Sequence, residues 1–276
     1  MPDQVLTQEQ VDAFNRDGYI IVRGLFDAEE MEILRHAARA DHALENAARD
    51  LDDGEGGKTK LSLWNQAGDD VYGLVARSRR VVDAMEQLLG GEVYHYHSKM
   101  SMKEPFTGGA WTWHQDYGYW YNNGCLFPLM ASCFIAVDPN TKENGCMQLL
   151  VGSHQMGRIE HGQFGDQTGA DPERTDAAMK VMELRYAEME PGDALFFHSN
   201  TLHRSDQNKS PNPRWSLICC YNAARNNPYK ESHHPFYEKL DKVDDGELKK
   251  TGVATFSGTT KFWTPEEDKT VAGGRG

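Results

Sequence analysis

Between Val93 and Asn222 the chain is cut into short apolar or alternating runs, at 93–98, 111–116, 130–138, 146–150, 181–189, 194–198 and 214–222. Turn signals such as Asn144-Gly145 and Pro191-Gly192-Asp193 separate them. Such runs read as strands. Many short strands in one stretch need two packed sheets or a closed barrel to cover their apolar faces. The residues before Val93 follow another grammar. Thr7 with Gln10, and Asp27 with Glu30, are capping-box signals for helices. The first helix ends at Gly18 and leads into a strand at Tyr19–Val22. The second continues to about Ala48, and a third covers 81–89 before Gly90-Gly91. The pattern is mainly β with flanking α, a sandwich or barrel under an N-terminal helical layer. We divide a single domain, 1–276, into that layer (about 7–90), a β core (about 93–222) and a C-terminal extension (223–276).

Two stretches do not fit short turns. Leu51 to Lys60 is rich in Asp and Gly and reads as a loop. Gly152 to Ala178 reads as a long loop, of the kind that serves as a lid over a binding site. The tail beyond Pro265 is expected to fray.

A net charge of −13 argues against a nucleic-acid surface, which needs clustered Lys and Arg. No apolar run approaches the length of a membrane span. The five cysteines form no Cys-X-X-Cys pair, and Met1 to Val5 carries no secretory pattern. The expectation is a cytoplasmic protein with reduced thiols, Cys219 and Cys220 pointing to opposite faces of one strand. Its partner is a small molecule rather than nucleic acid or membrane. Oligomeric state is not legible.

Chemistry concentrates at two places. In Trp113-His114-Gln115-Asp116 the imidazole and the carboxylate lie two apart, on one face of a strand. They make two corners of a 2-His-1-carboxylate metal site. A third ligand comes from His198 or His203. His203 has Ser205 two residues on, and Arg214 opens the last strong strand. A guanidinium at the mouth of a core strand needs an anion, because burying it alone is costly. A fork of N–H donors suits a carboxylate, and a serine hydroxyl adds a third bond.

Together these segments resemble the phytanoyl-CoA dioxygenase family of Fe(II)/2-oxoglutarate oxygenases. The resemblance rests on Trp113-His114-Gln115-Asp116, Glu143-Asn144-Gly145-Cys146, Gly152-Ser153-His154, the run from Pro191 to His198, His203-X-Ser205 and Arg214, and spans about Thr7 to Pro228. It implies a double-stranded β-helix, a jelly-roll relative of the cupins. It implies Fe(II) held by His114, Asp116 and His203, with O2 and the cosubstrate 2-oxoglutarate consumed and succinate and CO2 released. Arg214 and Ser205 match the residues that hold the distal carboxylate of 2-oxoglutarate. Lys60, Lys99 and Phe134 fall on cosubstrate-lining positions; the family often has Trp where Phe134 stands. A carboxylate at 116, where related halogenases have a small residue, implies hydroxylation.

The substrate is less legible. Trp111, Trp113, Tyr117, Trp120, Tyr121 and Asn122 flank the ligand pair, and Arg225 and Asn226 follow the last strand; these are the candidate substrate contacts. The alternatives are an acyl-CoA hydroxylase, a zinc hydrolase, or a non-catalytic jelly-roll module that binds a metal or ligand.

Overall fold

The computed structural model describes residues 5–164, 166–256 and 260–264. The tail beyond Pro265 lies outside them. Both expected capping boxes form. Thr7 caps α1 (Gln8–Asp17), which ends at the left-handed Gly18, and Asp27 caps α2 (Ala28–Ala40). Strand β1 (Tyr19–Val22) lies between the two helices.

The second helix is shorter than expected. Asp41 leaves helical geometry to cap α3 (His42–Asn46) with one carboxylate oxygen. The other oxygen accepts from Phe256 N–H and the Tyr72 hydroxyl. The residue is therefore committed to contacts that a continuous helix would break.

The expected 51–60 loop is corrected to a hairpin of β2 (Arg49–Asp52) and β3 (Lys58–Trp64). Two helices follow, α4 (Val71–Arg77) and α5 (Arg79–Leu89). Then come β4 (Val93–Lys103), β5 (Trp111–His114), the short helix α6 (Asp116–Trp120), β6 (Met130–Ala136) and β7 (Met147–Leu150). The 152–178 stretch, read as a loop, folds into a β8–β9 hairpin (His161–Phe164, Gln167–Ala170) and α7 (Pro172–Met179). Its glycines and short strands hide that periodicity. The last strands are β10 (Leu184–Ala187), β11 (Ala194–His198), β12 (His203–Ser205) and β13 (Arg214–Ala223).

Seven strands form one antiparallel sheet in the order β1-β11-β6-β13-β4-β3-β2, and four form a second, β10-β7-β12-β5. Alternation sends the large sheet's side chains two ways. Cys133, Ile135, Leu217 and Cys219 pack with Leu34, Val75, Val82 and Met85 of the helices. Phe134, Phe197, Ile218 and Cys220 pack with Met147 and Leu149 of the small sheet. The vicinal cysteines do face opposite ways. Helices cover one face of a jelly roll, and the space between its sheets holds the site.

Candidate active site

The small sheet supplies two histidines. Strands β5 and β12 pair with His203 directly opposite His114, and the two ring centroids stand 4.0 Å apart. Asp116 is not on the strand. Strand β5 stops at His114, Gln115 keeps an extended backbone, and Asp116 opens α6. That one extended residue still brings both side chains to a common side. Gln115 points the other way, donating to the carbonyls of Gly157 and Asn200 and accepting from Ile159 N–H. One ligating atom from each of His114, Asp116 and His203 lies within 4.8 Å of the others, and all three residues are buried.

The tautomers are fixed by the backbone. Nδ1 of His114 lies 2.8 Å from the carbonyl of Thr112, and Nδ1 of His203 lies 2.9 Å from that of Thr201. A carbonyl only accepts, so each Nδ1 carries the proton and each Nε2 keeps its lone pair for a metal. Burial, then the facing His203 ring, pushes the pKa of His114 well below its usual value, and burial lowers that of His203. Burial opposes the Asp116 charge. The Lys99 ammonium, the two imidazoles and the Tyr119 hydroxyl more than offset it and bring that pKa down to about 2. Tyr119 donates to one Asp116 oxygen at 2.8 Å and Ser132 to the other at 3.3 Å. Two neutral imidazoles and a carboxylate are the donor set that suits ferrous iron with positions left open.

A second anchor stands on β13. Arg214 is fully buried, and one terminal nitrogen donates to the carbonyl of Gly145 at 2.9 Å. That glycine has φ +76°, and a Cβ there would strike the Asp206 backbone, so the Asn144-Gly145 turn presents its carbonyl from a position closed to other residues. Arg214 Nε is buried with no partner, and burial takes the guanidinium's pKa down to about 10. Opposite it in register, Lys103 is also buried and donates to Ser205 Oγ at 2.7 Å. Two buried cations and an orphaned N–H fit an incoming carboxylate.

A cavity of about 520 Å³ joins these parts; Lys99, His114, Phe134, His203, Ser205 and Arg214 all line it. Lys60 does not. Leu61 and Leu63 face the cavity from β3, while Ser62, two residues from Lys60, bonds the Leu44 carbonyl in the helical layer. Alternation puts Lys60 on that outer face, a correction to its expected role.

Of the candidate substrate contacts, Trp111 and Trp120 line the cavity. The others are corrected. Trp113 packs with Leu150 and Ile159 on the far side of β5. Tyr117 is buried with its hydroxyl on the Cys125 carbonyl. Tyr121 and Asn122 are exposed. Arg225 donates to the carbonyls of Leu89 and Gly90, and the Asn226 amide donates to the Phe127 carbonyl and to the side-chain oxygen of Asn222. His198 faces Phe14 and His154, away from the ligands. Residues the sequence did not single out take their places: Tyr119, Asn123, His97, His233, His234 and Trp263.

A jelly roll bringing two imidazoles and a carboxylate to one point beside a buried guanidinium defines a non-haem Fe(II)/2-oxoglutarate-dependent dioxygenase. The chain belongs to the phytanoyl-CoA dioxygenase family, whose profile matches residues 14–216. It is similar to the ectoine dioxygenase of Stutzerimonas stutzeri, 26% identical over 243 residues, 80% of this chain and 78% of the relative. It is 28% identical over 272 residues to the methylphosphonate hydroxylase of Gimesia maris, covering 92% of this chain and 96% of that one. The solved structure of EctD from S. alaskensis with 2-oxoglutarate and 5-hydroxyectoine has the same fold, with a TM-score of 0.71 at 22% identity over 88% of this chain and 89% of that one. No described helix is long and apolar enough to cross a membrane.

Proposed function

We propose that the protein hydroxylates a small free metabolite, with His114, Asp116 and His203 holding Fe(II), and Arg214 and Ser205 holding the distal carboxylate of 2-oxoglutarate. The observation that carries this reading is the convergence of the three ligating atoms within 4.8 Å, beside a buried arginine with an unpartnered Nε. A zinc hydrolase would leave Arg214 without an anion, and the complete triad together with Arg214 argues against a non-catalytic module. Names of the relatives, on ectoine and methylphosphonate, support a small substrate, as does a cavity of about 520 Å³. The five buried free cysteines support a reducing, cytoplasmic setting for one single-domain enzyme.

Bound iron with 2-oxoglutarate and O2 supplies the oxidising power, 2-oxoglutarate leaving as succinate and CO2 while the substrate gains a hydroxyl. The chain's own groups prepare that step. The carbonyls of Thr112 and Thr201 hold the two Nε2 lone pairs in place. Tyr119 and Ser132 orient the Asp116 carboxylate. Lys103 donates to Ser205 Oγ, which leaves the serine hydrogen free to point at the cosubstrate. Phe134 and Ile218 keep the floor apolar and exclude water. The test is succinate release from 2-oxoglutarate with Fe(II) and O2. Asp116→Ala removes it, and full activity in that variant contradicts the reading.

A further inference from the structure

Between His114 and Asp116 the chain passes from strand to helix in one residue, and that step is held from outside. Strand β5 ends the small sheet, and side chains of the β8–β9 hairpin meet backbone groups that it offers to no strand. Gln167 accepts from Thr112 N–H at 2.9 Å and donates to the Ala110 carbonyl at 2.8 Å. His161 Nε2 lies 2.9 Å from Gln115 N, at the peptide that joins His114 to Gln115. Nδ1 of His161 lies 2.8 Å from the Ile159 carbonyl, so it carries the proton and Nε2 is the acceptor. Burial takes the ring's pKa down to about 4, which keeps it neutral. His114 and His203 have their tautomers set by the same contact, with the carbonyl two residues before. Their lone pairs are left for a metal, whereas that of His161 takes a backbone amide.

That contact completes a helix start. In a capping box the side chain three residues past the N-cap accepts from the N-cap N–H. Gln10 does so for Thr7 at 2.8 Å, and Glu30 for Asp27 at 2.9 Å. In α6 the N-cap is Gln115, whose side chain makes no cap bond. The residue three on is Gly118, which has no side chain to reach back. A Cβ on Gly118 would lie 2.0 Å from His161 Cε1, so the imidazole occupies the place of the missing side chain. His161, 46 positions along the chain, makes the bond instead.

Gln115 is fully buried. Its carbonyl accepts from Gly118 N–H at 3.0 Å, and its side chain is held by Gly157, Ile159 and Asn200. Without His161 its N–H would be a buried donor lacking a partner, a state that the backbone relieves by turning the peptide toward another acceptor. Rotation of the peptide between His114 and Gln115 turns the two ligand side chains relative to each other. The convergence of the three ligating atoms within 4.8 Å therefore depends on where that N–H points. The hairpin that fixes it also lines the cavity, with Gln163, Asp166 and Thr168.

We propose that His161 is a positioning residue of the metal site. Acting through Gln115 N–H, it closes a capping box across the chain and holds the strand-to-helix step that brings His114 and Asp116 to one ion. The proposal rests on the Fe(II)/2-oxoglutarate reading for the identity of that ion.

The test compares two variants of the full chain that differ in what they keep. His161→Leu fills the space beside Gly118 and lacks an acceptor. His161→Gln gives up the ring and keeps an acceptor oxygen at the reach of Nε2. Each is titrated anaerobically with Co(II), whose visible spectrum reports the coordination geometry. Each is then titrated with Fe(II) and 2-oxoglutarate, followed by the weak visible charge-transfer band. His161→Leu raises the Co(II) Kd about 10- to 100-fold and alters the Co(II) spectrum, the usual effect of losing a group that orients a ligand. His161→Gln returns the Kd to within about fivefold of the parent, with the parent's spectrum. Should His161→Leu not fold, His161→Asn, one methylene too short to reach the Gln115 N–H, replaces it with the same expectation. A purely structural histidine would lower the melting point of both variants and leave metal affinity well below that temperature unchanged, which overturns the proposal. A loss in His161→Gln equal to that in His161→Leu also overturns it, by assigning the effect to the packing of the ring. A parent that neither binds Co(II) nor forms the band overturns this proposal and the oxygenase reading together. A band in the parent beside unchanged Co(II) affinity and spectrum in His161→Leu overturns this proposal alone.

Discussion

The ammonium of Lys103 stands 2.7 Å from the hydroxyl oxygen of Ser205, wholly out of solvent. A second bond runs to the Asp206 carbonyl, and Arg214 is its cross-strand neighbour. Burial first, and the Arg214 charge second, push the Lys103 pKa well down. An incoming carboxylate would oppose both effects and favour the charged form of Lys103. Lys103 positions the serine and adds charge at the end of the cavity where a distal carboxylate would lie.

Lys103→Met accordingly raises the Kd for 2-oxoglutarate by about tenfold or more, the scale of a lost hydrogen bond to a charged system. The anaerobic titration of the visible band measures it. The contrast that isolates the role is 2-oxopentanoate, which lacks the distal carboxylate. Its affinity changes little, so the preference for 2-oxoglutarate shrinks. An equal loss for both keto acids would mean a purely structural lysine.

Tyr119→Phe removes the 2.8 Å bond to Asp116 and leaves the ring in place. Metal affinity falls by about 10- to 100-fold, the usual effect of deleting a group that orients a ligand. A Co(II) or Fe(II) titration reads this directly. Unchanged metal affinity would remove Tyr119 from the support of the carboxylate.

Gly118 touches the ring of His161, and a Cβ at that position would overlap it. His161 Nε2 accepts from Gln115 N–H at 2.9 Å, between the two ligands on either side of that residue. Gly118→Ala therefore displaces the link that connects β5 to α6. It costs about 1–3 kcal/mol of stability, the range for overpacking a filled site. Thermal melting measures it, and metal affinity falls with it. A melting point and affinity equal to the parent's would show that His161 moves aside freely.

Acid destabilises the fold at a pH set by histidines. Burial brings the pKa of His95 down to about 4, and that of His198 also to about 4. In the unfolded chain these groups take protons near pH 6.5. Between those values the unfolded state binds more protons, so stability falls as pH drops from about 6.5 toward 4. Each group contributes roughly 3 kcal/mol to that loss. Melting temperature should decline steadily from pH 7 to pH 5. A flat profile over that range would mean that these imidazoles ionise freely in the folded protein.

Much of the architecture is legible because the core strands keep a clear period. Tyr19–Val22 and Ala194–His198 form as read, and His203-X-Ser205 continues as a strand that aims both side chains into the cavity. The errors have physical causes. At Gln115 the backbone passes from strand to helix, so the repeat changes from 2 to 3.6 residues. Counting on from Asp116 in the helical repeat, Tyr119, Trp120 and Asn123 reach the cavity, and Tyr117 and Tyr121 turn away. Lys103 looks like the solvent end of a strand in Met102-Lys103-Glu104; the Ser205 and Asp206 groups that bury it lie a hundred residues on. His233, His234 and Trp263 come from a segment without regular period, and only the folded chain brings them to β4. The β2–β3 hairpin was hidden by its Asp- and Gly-rich turn.

The most direct test of the account is an anaerobic titration of Fe(II) and 2-oxoglutarate into the protein and into its His203→Ala and Arg214→Met variants, followed by the visible charge-transfer band. The account predicts a band in the parent, none in His203→Ala, and in Arg214→Met a band only at 2-oxoglutarate concentrations about 100-fold higher or more, as for a truncated buried charge pair. A parent without a band, or variants that titrate like the parent, would contradict it.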